Sequence, residues 1–114
     1  KDNFPLISNN RSNTIKVKLD SLIENFEIFE KIDLIKIDVE GAELDVIKGS
    51  LNSIKKYRPF IAIDLHHNLT NEKKDSVEIL NILLNFNYKI MNLKQTKVVN
   101  SKNISEFDSI LAFR

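Results

Sequence analysis

The stretch Ile32–His67, IDLIKIDVEGAELDVIKGSLNSIKKYRPFIAIDLHH, restricts the fold more than any other part of the chain. Two mostly apolar, β-branched runs, Ile32–Val39 and Pro59–Leu65, flank a segment of helical period. Such near-continuous runs suit parallel strands covered on both faces. Each ends in ionisable residues: Asp38 and Glu40 on the first, Asp64, His66 and His67 on the second. In open α/β sheets, ligands bind beyond the carboxyl ends of the strands. The segment therefore predicts a strand-helix-strand unit and the rim of the sheet where chemistry occurs.

The predicted helix opens at Gly41 and runs to about Tyr57, with Leu44, Ile47, Leu51 and Ile54 on one face. Glu40, Glu43 and Asp45 near its start and Lys55 and Lys56 near its end complement the helix dipole. Gly49 in its middle costs about 1 kcal/mol relative to alanine, which points to close packing there. Upstream, residues 1–13 read as a polar arm, and Thr14–Leu19 alternates like a half-exposed strand. Asp20 is placed to N-cap a helix through about Glu30, with Leu22, Ile23, Phe26 and Phe29 inward. Downstream follow a helix over Glu72–Phe86 with Val77, Leu80, Leu83 and Leu84 on its core face, a strand Tyr88–Leu93, a short strand at Lys97–Val99 and a last strand Asp108–Phe113. The closing connection is too short for a crossover helix, so at least one pairing is antiparallel. The expected architecture is one α/β domain over residues 14–114, with a mixed, mainly parallel sheet and flanking helices.

Bulk properties narrow the function classes. The formal charge of the 114 residues is +1, with no basic stripe interleaved with aromatics, so nucleic acid is not an expected partner. No apolar run approaches the roughly 20 residues that span a bilayer, and no membrane partner is expected. The chain holds no cysteine, which removes disulfide and thiolate chemistry. It begins at Lys1, with neither an initiator methionine nor a signal-peptide core, and reads as a cytoplasmic fragment or processed form.

Among the strand-end residues, Asp38 fits a general base for a substrate hydroxyl or a solvated acid. His66 shares strand parity with Asp64, and a histidine is the side chain whose ordinary pKa suits a base at neutral pH. Glu40 fits either a helix cap or a ligand contact. Gly41 permits a sharp turn and a close backbone approach to a ligand. Glu43, one turn into the helix, reads as complementing the dipole. Lys36, a cation inside an apolar strand, needs a partner, with Asp38 or Asp64 within reach. Asp38, Glu40, Asp64 and His66 also form a conceivable oxygen-rich cation site, which keeps a metal-dependent hydrolase open as an alternative. A catalytically inert interaction module is a second alternative.

The string KIDVEGAE at Lys36–Glu43 resembles the FkbM-type S-adenosylmethionine-dependent methyltransferases. The similarity continues through VIKGS at Val46–Ser50, RPFIAIDLH at Arg58–His66 and KLDSLI at Lys18–Ile23. It implies the C-terminal half of a Rossmann-like methyltransferase fold, with S-adenosylmethionine as cofactor and a small molecule or sugar as acceptor of an O-methyl group. By that resemblance Asp38 and His66 handle the proton, while Glu40, Gly41 and Asp64 contact substrate or cofactor; no metal is assigned. Family members carry a Gly-rich donor-binding turn upstream, whereas this chain has only Gly41 and Gly49, neither in such a turn. Asp64 stands where the family usually has Glu, a shorter reach with the same charge. The isolated chain is therefore expected to be inactive, and self-association through an exposed sheet edge is expected.

Overall fold

The computed structural model describes residues 16–26, 30–66 and 72–114. The expected arm over residues 1–13 lies outside them, as does His67. The elements run in the order α1 (Leu19–Phe26), β1 (Leu34–Ile37), α2 (Glu43–Lys48), α3 (Leu51–Tyr57), β2 (Phe60–Asp64), α4 (Glu72–Asn85), β3 (Lys89–Asn92), a 3-10 turn (Ile104–Glu106) and β4 (Ser109–Phe113).

The sheet order is β1-β2-β4-β3. β1 and β2 are parallel, with Lys36 opposite Ala62 and Ile37 opposite Ile63. β4 then enters between β2 and β3, antiparallel to both. The mixed α/β architecture is present as expected. Its parallel character resides in the β1–β2 unit; insertion of β4 makes two of the three pairings antiparallel. The short strand expected at Lys97–Val99 reduces to one bridge, Val98 to Met91.

Strand alternation divides the sheet into two unlike faces. Ile37, Ile61, Ile63, Ile90, Ile110 and Ala112 are buried, joined by Ile47, Ile54, Ile79, Leu80 and Leu83 from the helices. On the opposite parity, Leu34 is 58% exposed and Phe60 49%, and Phe60 stacks on Phe113, 6.5 Å away. The expectation that both faces are covered therefore fails among the described residues: one face is open, so Lys36 is half-exposed and not buried.

Three helix readings change. The single helix Gly41–Tyr57 is two, broken at Gly49–Ser50. The Ser50 hydroxyl donates to the Val46 carbonyl at 2.6 Å, and the Ser50 N–H to Ile47 at 3.0 Å, closing α2 before α3 starts. A Cβ on Gly49 would meet Lys18 Cγ at 3.2 Å, the close packing its position implied. Second, Leu19 belongs to α1, and Lys16–Lys18 is irregular where a strand was expected. This segment docks on the α2–α3 corner, where the Asp20 N–H donates to the Gly49 carbonyl at 3.0 Å. Third, Asp20 caps a different helix from the one it begins. Its carboxylate accepts the backbone N–H of Asn52 at 2.9 Å and of Ser53 at 2.8 Å, and also the Ser53 hydroxyl, at the first turn of α3. Phe26 and Leu84 are exposed where core positions were expected; Ile79 takes the core place on α4.

Arg58 closes α3 in the left-handed region, φ 52°, because Pro59 excludes helical geometry before it. Its guanidinium donates to the Phe86 carbonyl and lies 4.7 Å from the Tyr88 ring centre. The Tyr88 hydroxyl donates to the Pro59 carbonyl at 2.6 Å. These contacts hold the start of β2 against the end of α4, and so fix where its far tip emerges.

Candidate functional site

The site is built on the turn between β1 and α2. Glu40 and Gly41 both have positive φ, 50° and 102°, and the Ala42 N–H closes the turn onto the Val39 carbonyl at 3.3 Å. Gly41 supplies the left-handed backbone expected of it. The turn is organised from within by Glu43. One oxygen of its carboxylate, Oε2, accepts the N–H groups of Val39 and Gly41, each at 3.1 Å. The same oxygen lies 3.1 Å from Nδ1 of His66 at the tip of β2. Only 6% of the Glu43 side chain is exposed, so this acid is buried and partnered, as a charge removed from water must be.

The other ring nitrogen of His66, Nε2, faces Asp38 Oδ1 at 3.3 Å. His66 thus sits between two carboxylates: Glu43, buried, and Asp38, 51% exposed at the end of β1. A step inward, Lys36 Nζ lies 2.9 Å from Asp64 Oδ1, diagonally across the parallel pair from its register partner Ala62. The Ser109 hydroxyl on β4 donates to the same Asp64 oxygen at 2.8 Å. The Lys36 ammonium, then the Ser109 hydroxyl, hold the Asp64 carboxyl below its ordinary value of 3.8, outweighing burial, which pushes it up.

Of the residues expected at the site, Asp38 and His66 meet directly, Asp64 stands beside them, and Gly41 shapes the adjoining turn. Glu40 is exposed at the tip of that turn. The residue that sequence reasoning undervalued is Glu43, read as a dipole-complementing acid. A signal existed: at helical spacing Glu43 lies on the stripe of Ile47, Ser50 and Ile54, an acid on an otherwise inward face. Ser109 had no comparable signal, since only sheet order brings it to Asp64. Among the described residues no three acidic or histidine side chains are placed to hold a metal ion.

A cleft of about 450 Å³ adjoins the turn, lined by Val17, Leu22, Val39, Ala42 and Val46 among others. Were S-adenosylmethionine to bind at this rim, as the resemblance implies, the turn at Gly41 and the carboxylates of Asp38 and Glu40 would meet it from one side. The other glycine, Gly49, is taken up in helix-corner packing.

No helix among the described residues is long and apolar enough to cross a membrane. Residues 7–90 match the methyltransferase FkbM domain. Over 75 residues the chain is 35% identical to the hexuronic acid methyltransferase AglP of Haloferax volcanii, covering 65% of this chain and 30% of that protein. The fold superposes on the crystal structure of a methyltransferase FkbM from Methylobacillus flagellatus KT with a TM-score of 0.55 and 25% identity, covering 86% of this chain and 22% of that one. The chain therefore spans less than a third of the length of either relative. With the family model covering most of its length and the sheet superposing on a family structure, the chain belongs to the FkbM methyltransferase family.

Proposed function

We propose that this chain supplies the acceptor-side wall of an S-adenosylmethionine-dependent O-methyltransferase acting on a sugar or another small hydroxylated molecule. The observation that carries the reading is the meeting of Asp38 and His66 at the carboxyl ends of the parallel pair, 3.3 Å apart. S-adenosylmethionine, when bound, supplies an electrophilic methyl group. The residues of this chain orient the acceptor and take its hydroxyl proton, the two tasks that positioning and general-base catalysis perform. Glu40, exposed on the turn, is assigned to contact donor or acceptor. Asp64, paired with Lys36 and hydrogen-bonded by Ser109, is assigned to contact substrate or cofactor beside them. A sugar acceptor is favoured because the Haloferax relative is named for a hexuronic acid.

The donor would rest mostly on elements outside the described residues, and small-ligand pockets normally bury roughly 70–90% of their ligand. The isolated chain should therefore bind S-adenosylmethionine weakly or not at all, and show no turnover. Calorimetric titration of the cofactor into the monomeric chain tests this. Micromolar binding would mean that the donor site lies within these 114 residues.

A further inference from the structure

We infer that Glu43 is a positioning residue that holds neutral His66 as its Nδ1–H tautomer and leaves Nε2 as the proton-accepting atom. The inference deepens the assignment of Asp38 and His66 to proton handling and rests on it. A neutral imidazole carries one N–H and can donate to one partner only. His66 has a carboxylate at each nitrogen, and the two are unequal. Glu43 Oε2 is the nearer, 3.1 Å from Nδ1 against 3.3 Å from Nε2 to Asp38. It is also fixed, because two backbone N–H groups of the turn hold the same oxygen. With Nε2 unprotonated, it and the Asp38 carboxylate are both acceptors; Asp38 is half-exposed, so its carboxylate turns to water and leaves Nε2 to the acceptor hydroxyl.

A buried carboxylate without the ring proton would lose a charge-assisted hydrogen bond, whereas Asp38 loses one that solvent replaces. The proton therefore sits on Nδ1. A carboxylate that fixes ring orientation and tautomer from behind is a known way to leave the other nitrogen free for chemistry. In the transfer, the acceptor O–H bond breaks with its proton passing to Nε2. S-adenosylmethionine, when bound, would supply the methyl group to that oxygen and leave as S-adenosylhomocysteine, while His66 Nε2 retains the acceptor's proton.

The test reads the ring directly, with no turnover required. Two-bond proton–nitrogen correlation spectra of the whole chain, taken at alkaline pH, report which ring nitrogen carries hydrogen. Replacing His67 by Gln leaves His66 as the one imidazole to read. The expected spectrum is mostly Nδ1–H, the reverse of free histidine. Asp38→Ala should leave that pattern in place, and Glu43→Ala should convert it to mostly Nε2–H, with Asp38 as the remaining acceptor. An Nε2–H majority in the parent chain overturns the inference, even if Glu43→Ala fails to fold. So does loss of the Nδ1–H pattern in Asp38→Ala. An Nδ1–H spectrum in a chain whose family-competent fusion transfers no methyl group would sink the functional reading and leave this one standing.

Discussion

At the residue scale, the turn after β1 is where backbone and side chains are least ordinary. Glu40 holds φ 50°, a left-handed conformation that costs a residue with a Cβ about 1–2 kcal/mol. Its side chain is exposed, so no packing explains the choice. Glu40→Gly should leave the chain as stable as before or stabilise it by up to about 1 kcal/mol, while weakening turnover in a complete enzyme. Urea unfolding checks the first part; a loss above about 1 kcal/mol would mean that the side chain holds the fold and is not reserved for a ligand. Asp64 gives a second residue-scale test. Its folded pKa lies below 3.8, chiefly because of Lys36. A depressed carboxyl contributes stability that is present in full above the unfolded pKa and is lost as pH falls through the folded one. Lys36→Met should flatten the decline in unfolding free energy below about pH 4 and leave its pH dependence near neutrality unchanged. An unaltered acid limb, measured by urea unfolding across pH 2–6, would contradict the role given to Lys36.

At the element scale, α3 depends on a cap that reaches it from another helix. Asp20, in the first turn of α1, satisfies two of the N–H groups at the start of α3. Asp20→Ala should cost about 1–2 kcal/mol, visible as a lower urea midpoint with an unchanged slope. A cost near zero would mean that water serves the α3 terminus equally well. The same pairing shows what the sequence could and could not reveal. Strand-helix-strand order, the parallel pairing, and Asp38, Asp64 and His66 on one rim followed from periodicity and parity, which are local. The break at Gly49 is half legible: a mid-helix glycine marks close packing, but its effect depends on Lys18 and Asp20 docking at the corner. The capping of α3 by Asp20, and Ser109 on Asp64, join residues more than 30 positions apart. No local pattern encodes such pairs; only sheet order and helix docking create them.

At the scale of the whole molecule, among the described residues one sheet face is clothed by helices, the other is open, and β1 pairs on one side only. An apolar face beside an unpaired strand edge invites association. The chain should therefore self-associate as its concentration rises, and Phe60→Lys should reduce this. Sedimentation that stays monomeric at high concentration would argue against the open face as a sticky surface. The open face also agrees with a chain that spans less than a third of its relatives' length. The central claim is that the Asp38–His66 pair performs the proton step of methyl transfer. Its most direct test fuses the upstream half of an FkbM family member ahead of this chain and measures transfer of labelled methyl from S-adenosylmethionine to a sugar acceptor. Asp38→Ala and His66→Ala should each lower kcat by about a hundredfold or more, with the urea midpoint and donor binding little changed. Turnover within a few-fold of the parent in both variants, with donor still bound, would contradict the claim.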